Sequence, residues 1–235
     1  MYAILKNELK SYFDSTIAYI VIGLFIFLTS VYFFLGNIYN QSSDLSSLFE
    51  TMGTILLFIV PILTSRSIAE DRKNGMEVLL ITSPSKLSDI VLGKYLAVLS
   101  VFFVMVIITF IYPMILLLFS EQIIIPLIGE YLGLILLGAS MISFGVFVSS
   151  ITENQVVASI VSFVGLLFMM IIQPISNSFG GTISKVLNWF SIFSRYDDLN
   201  RGILGINTII YYLSFISVFL FLTISAIEKR RWSKG

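Results

Sequence analysis

Long apolar runs separated by short polar segments dominate the chain and predict six membrane-spanning helices. About 20 apolar residues suffice to cross a hydrocarbon core of about 30 Å. The predicted spans are about 17–36, 48–65, 90–119, 131–150, 155–174 and 203–226. The pattern therefore predicts an all-α polytopic membrane protein, in which residues 1–235 form a single transmembrane domain.

The fourth apolar run, within 123–150, is longer than one span requires and contains Pro126 and Glu130. The division we favour places a short re-entrant helix at about 121–130 on the outer side, followed by a span at 131–150. This keeps Glu130 near the outer interface and avoids the cost of a charge at mid-bilayer, about 2.5–3.5 kcal/mol.

Residues 1–15 precede the first span and have their own pattern. Their apolar side chains recur at helical spacing, whereas Lys6 and Lys10 fall elsewhere. This predicts a short amphipathic helix in the inner membrane interface, with a frayed polar tail as the alternative. The run 17–36 is not followed by a small-residue cleavage site, so we interpret it as a retained anchor.

The distribution of Lys and Arg predicts the orientation. If the N-terminus is inside, eleven of the 14 basic residues lie on inner segments, and the outer segments hold only Lys185, Arg195 and Arg201. Inner loops of membrane proteins carry the excess of positive charge. We therefore predict a multi-pass protein of the cytoplasmic membrane with both termini in the cytoplasm. The loop 66–89 is then cytoplasmic, and 175–202 is the largest outer segment.

Composition narrows the possible chemistry. The chain is 57% hydrophobic and 12% charged, against about 25% charged residues in soluble domains. It contains no Cys and no His and has no net charge, which removes thiolate and most zinc chemistry, the usual general base, and any electrostatic support for nucleic-acid binding. We predict no catalytic, cofactor-binding or metal-binding residue, and an intramembrane enzyme is disfavoured.

The polar segment 65–94 contains helix signals of its own. Ser67 and Glu70 have the spacing of a capping box, Asn74-Gly75 marks a helix end, and Ser83-Pro84 marks a second helix start. A solvated loop would explain the charges but not the apolar run 78–81 inside it. An apolar patch rimmed by charges is typical of a docking surface.

The string EDRKNGMEVLLITSPSKLSDIVLGKYL (70–96) resembles the hallmark of type-2 ABC exporter permeases. The strings KNELKSYFDSTIAYIVIG (6–23), FGVFVSSITENQVVA (144–158) and SRYDDLNRGIL (194–204) resemble the gliding-motility-type branch of that family. Met76 departs from the pattern, because many relatives carry Thr after the Gly.

The resemblance implies an interfacial N-terminal helix and a coupling helix between spans two and three that sits on an ATPase. It also implies a transporter of two permeases, identical or paralogous, and two P-loop ATPase subunits, which bind ATP and Mg. The chain itself has no P-loop, since its one Gly-Lys pair, Gly93-Lys94, lacks the other motif residues. The coupling residues carried over are Glu70, Asp71, Arg72, Gly75, Glu77, Leu79, Leu80 and Pro84.

In such permeases the translocation path lies at the permease dimer interface, with spans two and five prominent. The candidates in those spans are Met52, Thr54, Phe58, Phe163, Met169, Met170 and Gln173. The function implied is the membrane-spanning subunit of an ATP-driven exporter. The alternative is a non-transporting membrane partner on the same scaffold, such as an immunity, sensor or machinery-anchoring subunit.

Two smaller motifs predict local structure. Gly129 and Gly133 form a GxxxG pair, which we assign to packing within the monomer rather than to dimerisation. Thr152 to Gln155 has the form of a capping box that opens the fifth span.

Overall fold

Helices account for almost all of the described chain, and six of them are long and apolar enough to cross a membrane. The structure is a computed structural model that describes residues 2–73, 75, 86–118, 124–178, 191–200, 202, 203 and 205–233. No strand occurs within these ranges. The prediction of an all-α protein with six spans is confirmed.

Ten α-helices follow one another along the described chain. They are α1 (Tyr2–Phe13), α2 (Thr16–Phe33), α3 (Ser46–Ser65), α4 (Ala69–Lys73), α5 (Leu87–Thr109), α6 (Ile111–Leu117), α7 (Ile124–Ile151), α8 (Gln155–Ser178), α9 (Ile192–Asn200) and α10 (Ile206–Ser233). A π-helical turn, Phe34–Tyr39, prolongs α2 past residue 36, the predicted end of the first span. The six spans are α2, α3, α5 with α6, α7, α8 and α10.

Helices α3 and α7 form the centre of the bundle. Helix α7 packs against α3, α5, α8, α9 and α10, and α3 also packs against α2 and α8. In contrast, α2, α8 and α10 leave large apolar side chains exposed, as expected of helices that face lipid. Helices α3 and α7 are therefore the most buried of the six spans.

Helix α7 runs without a break from Ile124 to Ile151, so the predicted division of this segment is wrong. Residues 124–130 belong to the spanning helix rather than to a separate re-entrant helix. Pro126 does not interrupt the helix because it is the third residue, where a backbone N–H has no intrahelical partner. Glu130 packs against other parts of the protein, and the residue is 5% exposed.

Proline has the opposite effect in the overlong third span. Pro113 cannot donate a hydrogen bond to the carbonyl of Thr109, four residues earlier, and α5 ends at Thr109. The chain turns at Phe110 and continues as α6, whose Tyr112 hydroxyl lies 2.7 Å from the Thr29 hydroxyl of α2. The change of direction at Phe110 therefore lets α6 pack against α2.

The GxxxG pair serves packing within the chain, as predicted. A Cβ atom on Gly133 would lie 2.9 Å from the Cβ atom of Leu199, and one on Gly129 would lie 3.0 Å from the Leu199 carbonyl oxygen. Both contacts are with α9. The absence of side chains at these two positions lets α9 lie directly on the outer end of α7.

Candidate functional site

One end of the bundle gathers α1, α4, the start of α5, the turn between α7 and α8, and the last turns of α10. We call this the inner end, and the end that carries α9 the outer end. Arg230 of α10 donates to the carbonyl of Ile151 at 3.0 Å, which places the end of α10 beside the α7–α8 turn. Both chain termini therefore approach the same end of the bundle.

Helix α4 begins with a cap supplied by another helix. The hydroxyl oxygen of Ser149, on α7, accepts hydrogen bonds from the backbone N–H groups of Ile68 and Ala69 at 3.1 and 3.0 Å. The same hydroxyl donates to the carbonyl of Ser65, at the end of α3. The predicted capping box is wrong, because the Ser67 hydroxyl is buried without a hydrogen bond and Glu70 points to Arg66.

Arg72 attaches α4 to the α7–α8 turn. Its guanidinium donates to the carbonyl oxygens of Thr152, at 2.6 Å, and Ser150. Thr152 donates its hydroxyl to the carbonyl of Val148 and so belongs to the end of α7. The cap of α8 is Asn154, whose side-chain oxygen accepts from the Val156 N–H, so the predicted capping box at Thr152 is also wrong.

A buried lysine joins α4 to α1 and α5. Lys94 is 2% exposed, and its ammonium lies 2.6 Å from a Glu8 carboxylate oxygen and 2.5 Å from one of Asp71. The carboxylates come from α1 and α4, and both side chains are about one-fifth exposed. A buried ammonium requires such partners, so Lys94 fixes three helices relative to one another.

Two further sets of contacts join helices at the inner end. Arg66 forms a two-pronged ion pair with Glu70, at 2.8 and 3.2 Å, and also donates to the Ser15 hydroxyl, which caps α2. Tyr12 of α1 donates its hydroxyl to the carbonyl of Leu63 at 3.1 Å. Burial raises the pKa of Tyr12 well above its usual range, so the phenol stays neutral and remains a donor.

Gly75 ends the described part of this segment. Its φ of +71° lies in the left-handed region, and its N–H donates to the carbonyl of Arg72 at 3.0 Å. This is the geometry of a helix C-terminus, which glycine adopts at little cost. The remaining predicted coupling residues lie outside the described residues; they are Glu77, Leu79, Leu80 and Pro84.

The residues predicted to line the translocation path differ in their exposure and in their contacts. Met52 is fully buried inside the protein, whereas Phe58 is 57% exposed and packs its ring 5.0 Å from that of Phe163 on α8. Gln173 donates to the carboxylate of Asp197 on α9. The other three are partly buried; they are Thr54, Met169 and Met170.

The polar groups of the inner end attach helices to one another. Its Arg66, Arg72 and Lys94 side chains are engaged with carboxylates or with the main chain, and within the described ranges no group of three or more Asp or Glu side chains is placed to hold a metal ion. A family model described as "ABC-2 family transporter protein" matches residues 37–228, which is most of the chain.

The chain belongs to the ABC-2 transporter family.

The six spans agree with membership of a transporter family. The protein is an ABC-2 permease, the membrane-spanning subunit of an ABC transporter and a transport component rather than a catalytic one. The ABC-2 assignment supports the resemblance of the segment 70–96. The search of curated proteins gives no match.

Sequence reasoning missed the residues that hold α4 in this ABC-2 permease. Ser149 and Glu8 act through contacts that span about eighty residues, which no local pattern encodes. Lys94 gave one usable signal: it follows Leu92 and Gly93 at the start of an apolar run, where a charge requires a partner.

Proposed function

We propose that this ABC-2 permease exports its substrate and is driven by cytoplasmic P-loop ATPases that press on the segment 66–89. The observation that carries the proposal is the attachment of α4 to α1, α5, α7 and the α7–α8 turn through Lys94, Ser149 and Arg72. A helix so firmly held transmits displacement instead of absorbing it. The proposal includes two ATPase subunits that bind ATP and Mg, a second permease, and both termini in the cytoplasm.

The predicted coupling residues divide into two groups. Glu70, Asp71 and Arg72 are engaged inside the permease, so their proposed role is to hold the coupling segment on the bundle. Direct contact with the ATPase is proposed for the residues that follow the turn at Gly75; they are Glu77, Leu79, Leu80 and Pro84. Their apolar side chains flanked by charges suit a protein partner.

Closure of the ATPase subunits would then move α4 together with the helices attached to it. Allosteric coupling requires that the partner bind two global states of the permease with different free energies. Because α4 contacts the ends of α3 and α7, its displacement shifts the two central helices and, through the Phe58–Phe163 contact, α8.

For the path, we propose the face shared by α3 and α8. Phe58 exposes most of its ring there, and Met169, Met170 and Gln173 follow towards the outer end. Met52 is fully buried in the monomer, which favours a packing role for this residue. Membership of the gliding-motility-type branch is part of the same proposal and rests on the segments 6–23, 144–158 and 194–204.

The test is purification of the tagged permease in mild detergent from its native host, with subunit ratios by mass spectrometry and ATP hydrolysis measured on the eluate. We expect a P-loop ATPase at a 1:1 ratio. Gly75→Pro should reduce recovery of the ATPase about tenfold or more, because proline cannot adopt a positive φ and lacks the N–H bonded to Arg72. Glu70→Ala should weaken recovery less, through loss of the ion pair with Arg66.

Asp14→Asn is the matched control, because Asp14 is exposed at the inner end and its loss should leave recovery unchanged. Normal membrane levels of every variant show that insertion is intact. An intact permease without an ATPase would reject the exporter and favour the non-transporting membrane partner. Recovery unaffected by Gly75→Pro would reject the coupling assignment.

A further inference from the structure

A cavity of about 410 Å³ lies at the outer end, between the ends of the first and third spans. One wall is formed by the π-helical turn that prolongs α2 and by the turn that follows it, and the other wall is formed by α6. Of the described residues that line the cavity, none is proposed for coupling or for the translocation path. The first wall contains residues 37, 38 and 41–43, and the second contains Ile115 and Leu116.

The two walls differ in their chemistry. The α6 wall presents aliphatic side chains, whereas the wall that follows α2 also presents amide and hydroxyl groups. Ile38, Gln41 and Ser43 are exposed, so the cavity opens to the surface of the protein. Beside the cavity, Leu35 and Leu117 are more than half exposed, as expected of side chains that face lipid. A molecule in the membrane can therefore enter the cavity from the side.

Asn37, which lines the cavity, has an acceptor that the described part of the chain does not use. The residue is 1% exposed, and its amide nitrogen donates to the carbonyl oxygens of Ser42 and Asp44 at 3.1 and 2.8 Å. These two bonds fix the orientation of the amide, because the flipped amide would place its oxygen against two carbonyl oxygens. The amide oxygen, Oδ1, is buried and accepts no hydrogen bond. A buried acceptor without a donor is unfavourable, so binding of a molecule that supplies a donor is favoured.

Water alone does not suit this cavity. Its volume corresponds to about 14 water molecules of about 30 Å³ each, and aliphatic side chains offer such waters no hydrogen bond. Sites for small molecules measure about 300–1,000 Å³ and combine apolar walls with a few polar groups. We propose that the cavity binds one uncharged amphiphile from the leaflet at the outer end. Its apolar chain lies along Ile115 and Leu116, and its hydroxyl or amide N–H donates to Oδ1 of Asn37.

The surroundings of the cavity favour a head group without charge. The described lining residues carry no charge, and burial of an unpaired charge is unfavourable. Asp44 follows the lining residue Ser43, and its carboxylate accepts from the N–H and the hydroxyl of Ser46 at 3.0 and 2.7 Å. This negative charge beside the polar wall disfavours a phosphate or carboxylate head group. A glycerol head group with one acyl chain has the required donor and no charge. Such binding requires neither the ATPase nor transport.

The test is photolabelling of the full permease in phosphatidylcholine nanodiscs, with a monoolein analogue that carries a diazirine on its acyl chain. Mass spectrometry of the digested protein should place saturable labelling on residues 37–43 and 115–116. Unlabelled monoolein should compete about two- to tenfold more effectively than methyl oleate, which has the same chain but no donor, as expected for one net hydrogen bond. Oleoyl lysophosphatidic acid, which adds a negative charge, should compete more weakly than monoolein.

Ile115→Trp should fill the cavity and abolish saturable labelling of residues 37–43. Leu117→Trp is the matched control, because Leu117 is exposed on the same helix and does not line the cavity. Melting temperatures in detergent report the folding of both variants, and the competition assays need only the parent protein.

Four results would overturn the proposal. They are unsaturable labelling spread over the lipid-facing helices, as for ordinary lipid contact; no labelling, as expected if a part of the chain outside the described residues fills the cavity; equal competition by monoolein and methyl oleate; and unchanged labelling of a folded Ile115→Trp variant.

Discussion

Lys94 contacts two carboxylates that come from different helices, and both depend on its charge. Glu8 and Asp71 are largely buried, so each would carry an uncompensated negative charge if the ammonium were removed. Ion pairs of this kind contribute little net stability when whole, yet breaking one is costly. The residue therefore matters more for the arrangement of α1, α4 and α5 than for the stability of any one of them.

We predict that Lys94→Met destabilises the permease by about 3 kcal/mol, at the low end of the range for a broken buried pair because both carboxylates are partly exposed. Thermal unfolding in mild detergent measures the effect. The triple variant Glu8→Gln, Asp71→Asn, Lys94→Met removes all three charges and should recover most of the loss. Equal melting temperatures for Lys94→Met and the parent protein would show that the charge of Lys94 does not stabilise its contacts with Glu8 and Asp71.

Hydroxyl groups that reach between helices have a similar role at the residue scale. Ser149 serves two N–H groups and one carbonyl from the end of α3 and the start of α4, and Tyr12, Tyr196 and Tyr212 each donate to a distant carbonyl. None of these contacts is predictable from the sequence. A serine or tyrosine in an apolar segment does not reveal which backbone group it reaches.

At the scale of elements, close approach of α3 and α7 depends on Gly145. A Cβ atom there would lie 2.2 Å from the Thr64 hydroxyl oxygen and 2.8 Å from the Thr64 Cβ atom. Neither atom is the end of a flexible side chain, so the helices themselves would have to separate. The contact between Gly145 and Thr64 lies next to Ser149 and Ser65, the residues at which α7 and α3 meet the start of α4.

Gly145→Ala should therefore destabilise the protein by about 1–3 kcal/mol, the usual cost of overpacking. Gly23→Ala is the matched control, because no atom lies within 4 Å of a Cβ atom at that position. It should be neutral or slightly stabilising, since alanine is the better helix former. Both variants are compared with the parent protein by thermal unfolding in detergent, and equal effects of the two would contradict the packing argument.

The elements themselves were largely predictable, and their exact breaks were not. Apolar length alone indicates six spans, because about 20 apolar residues are needed to cross the bilayer. Pro126 and Pro113 look alike in sequence, yet the first is tolerated at the start of α7 and the second accompanies the end of α5. Pro61 and Pro174 lie inside α3 and α8 without ending them, so a proline in an apolar segment does not by itself reveal where a helix breaks.

At the scale of the whole molecule, the two chain termini share one end of the bundle. This follows from six spans and from the contact of Arg230 with Ile151. The Lys and Arg distribution predicts that this end faces the cytoplasm. Composition thus predicts the class of protein, whereas the arrangement around α4 arises only when segments eighty residues apart meet.

The orientation can be tested by labelling single cysteines in intact cells with a membrane-impermeant maleimide. The chain has no Cys of its own, so Ser47→Cys at the outer end and Lys10→Cys at the inner end give signals without background. We expect Ser47→Cys to react at once and Lys10→Cys to react only after the cells are permeabilised. The reverse order would place both termini outside.

The contact between Arg72 and the α7–α8 turn has a consequence for evolution. Arg72 binds the carbonyl oxygens of residues 150 and 152, and every amino acid supplies that oxygen. The Arg72 contact itself therefore places no requirement on the side chains at those two positions, as long as the arginine and the bend of the turn persist. Covariation between pairs of positions in related sequences would therefore not reveal the contact between Arg72 and the α7–α8 turn, even though this contact holds the coupling segment in place.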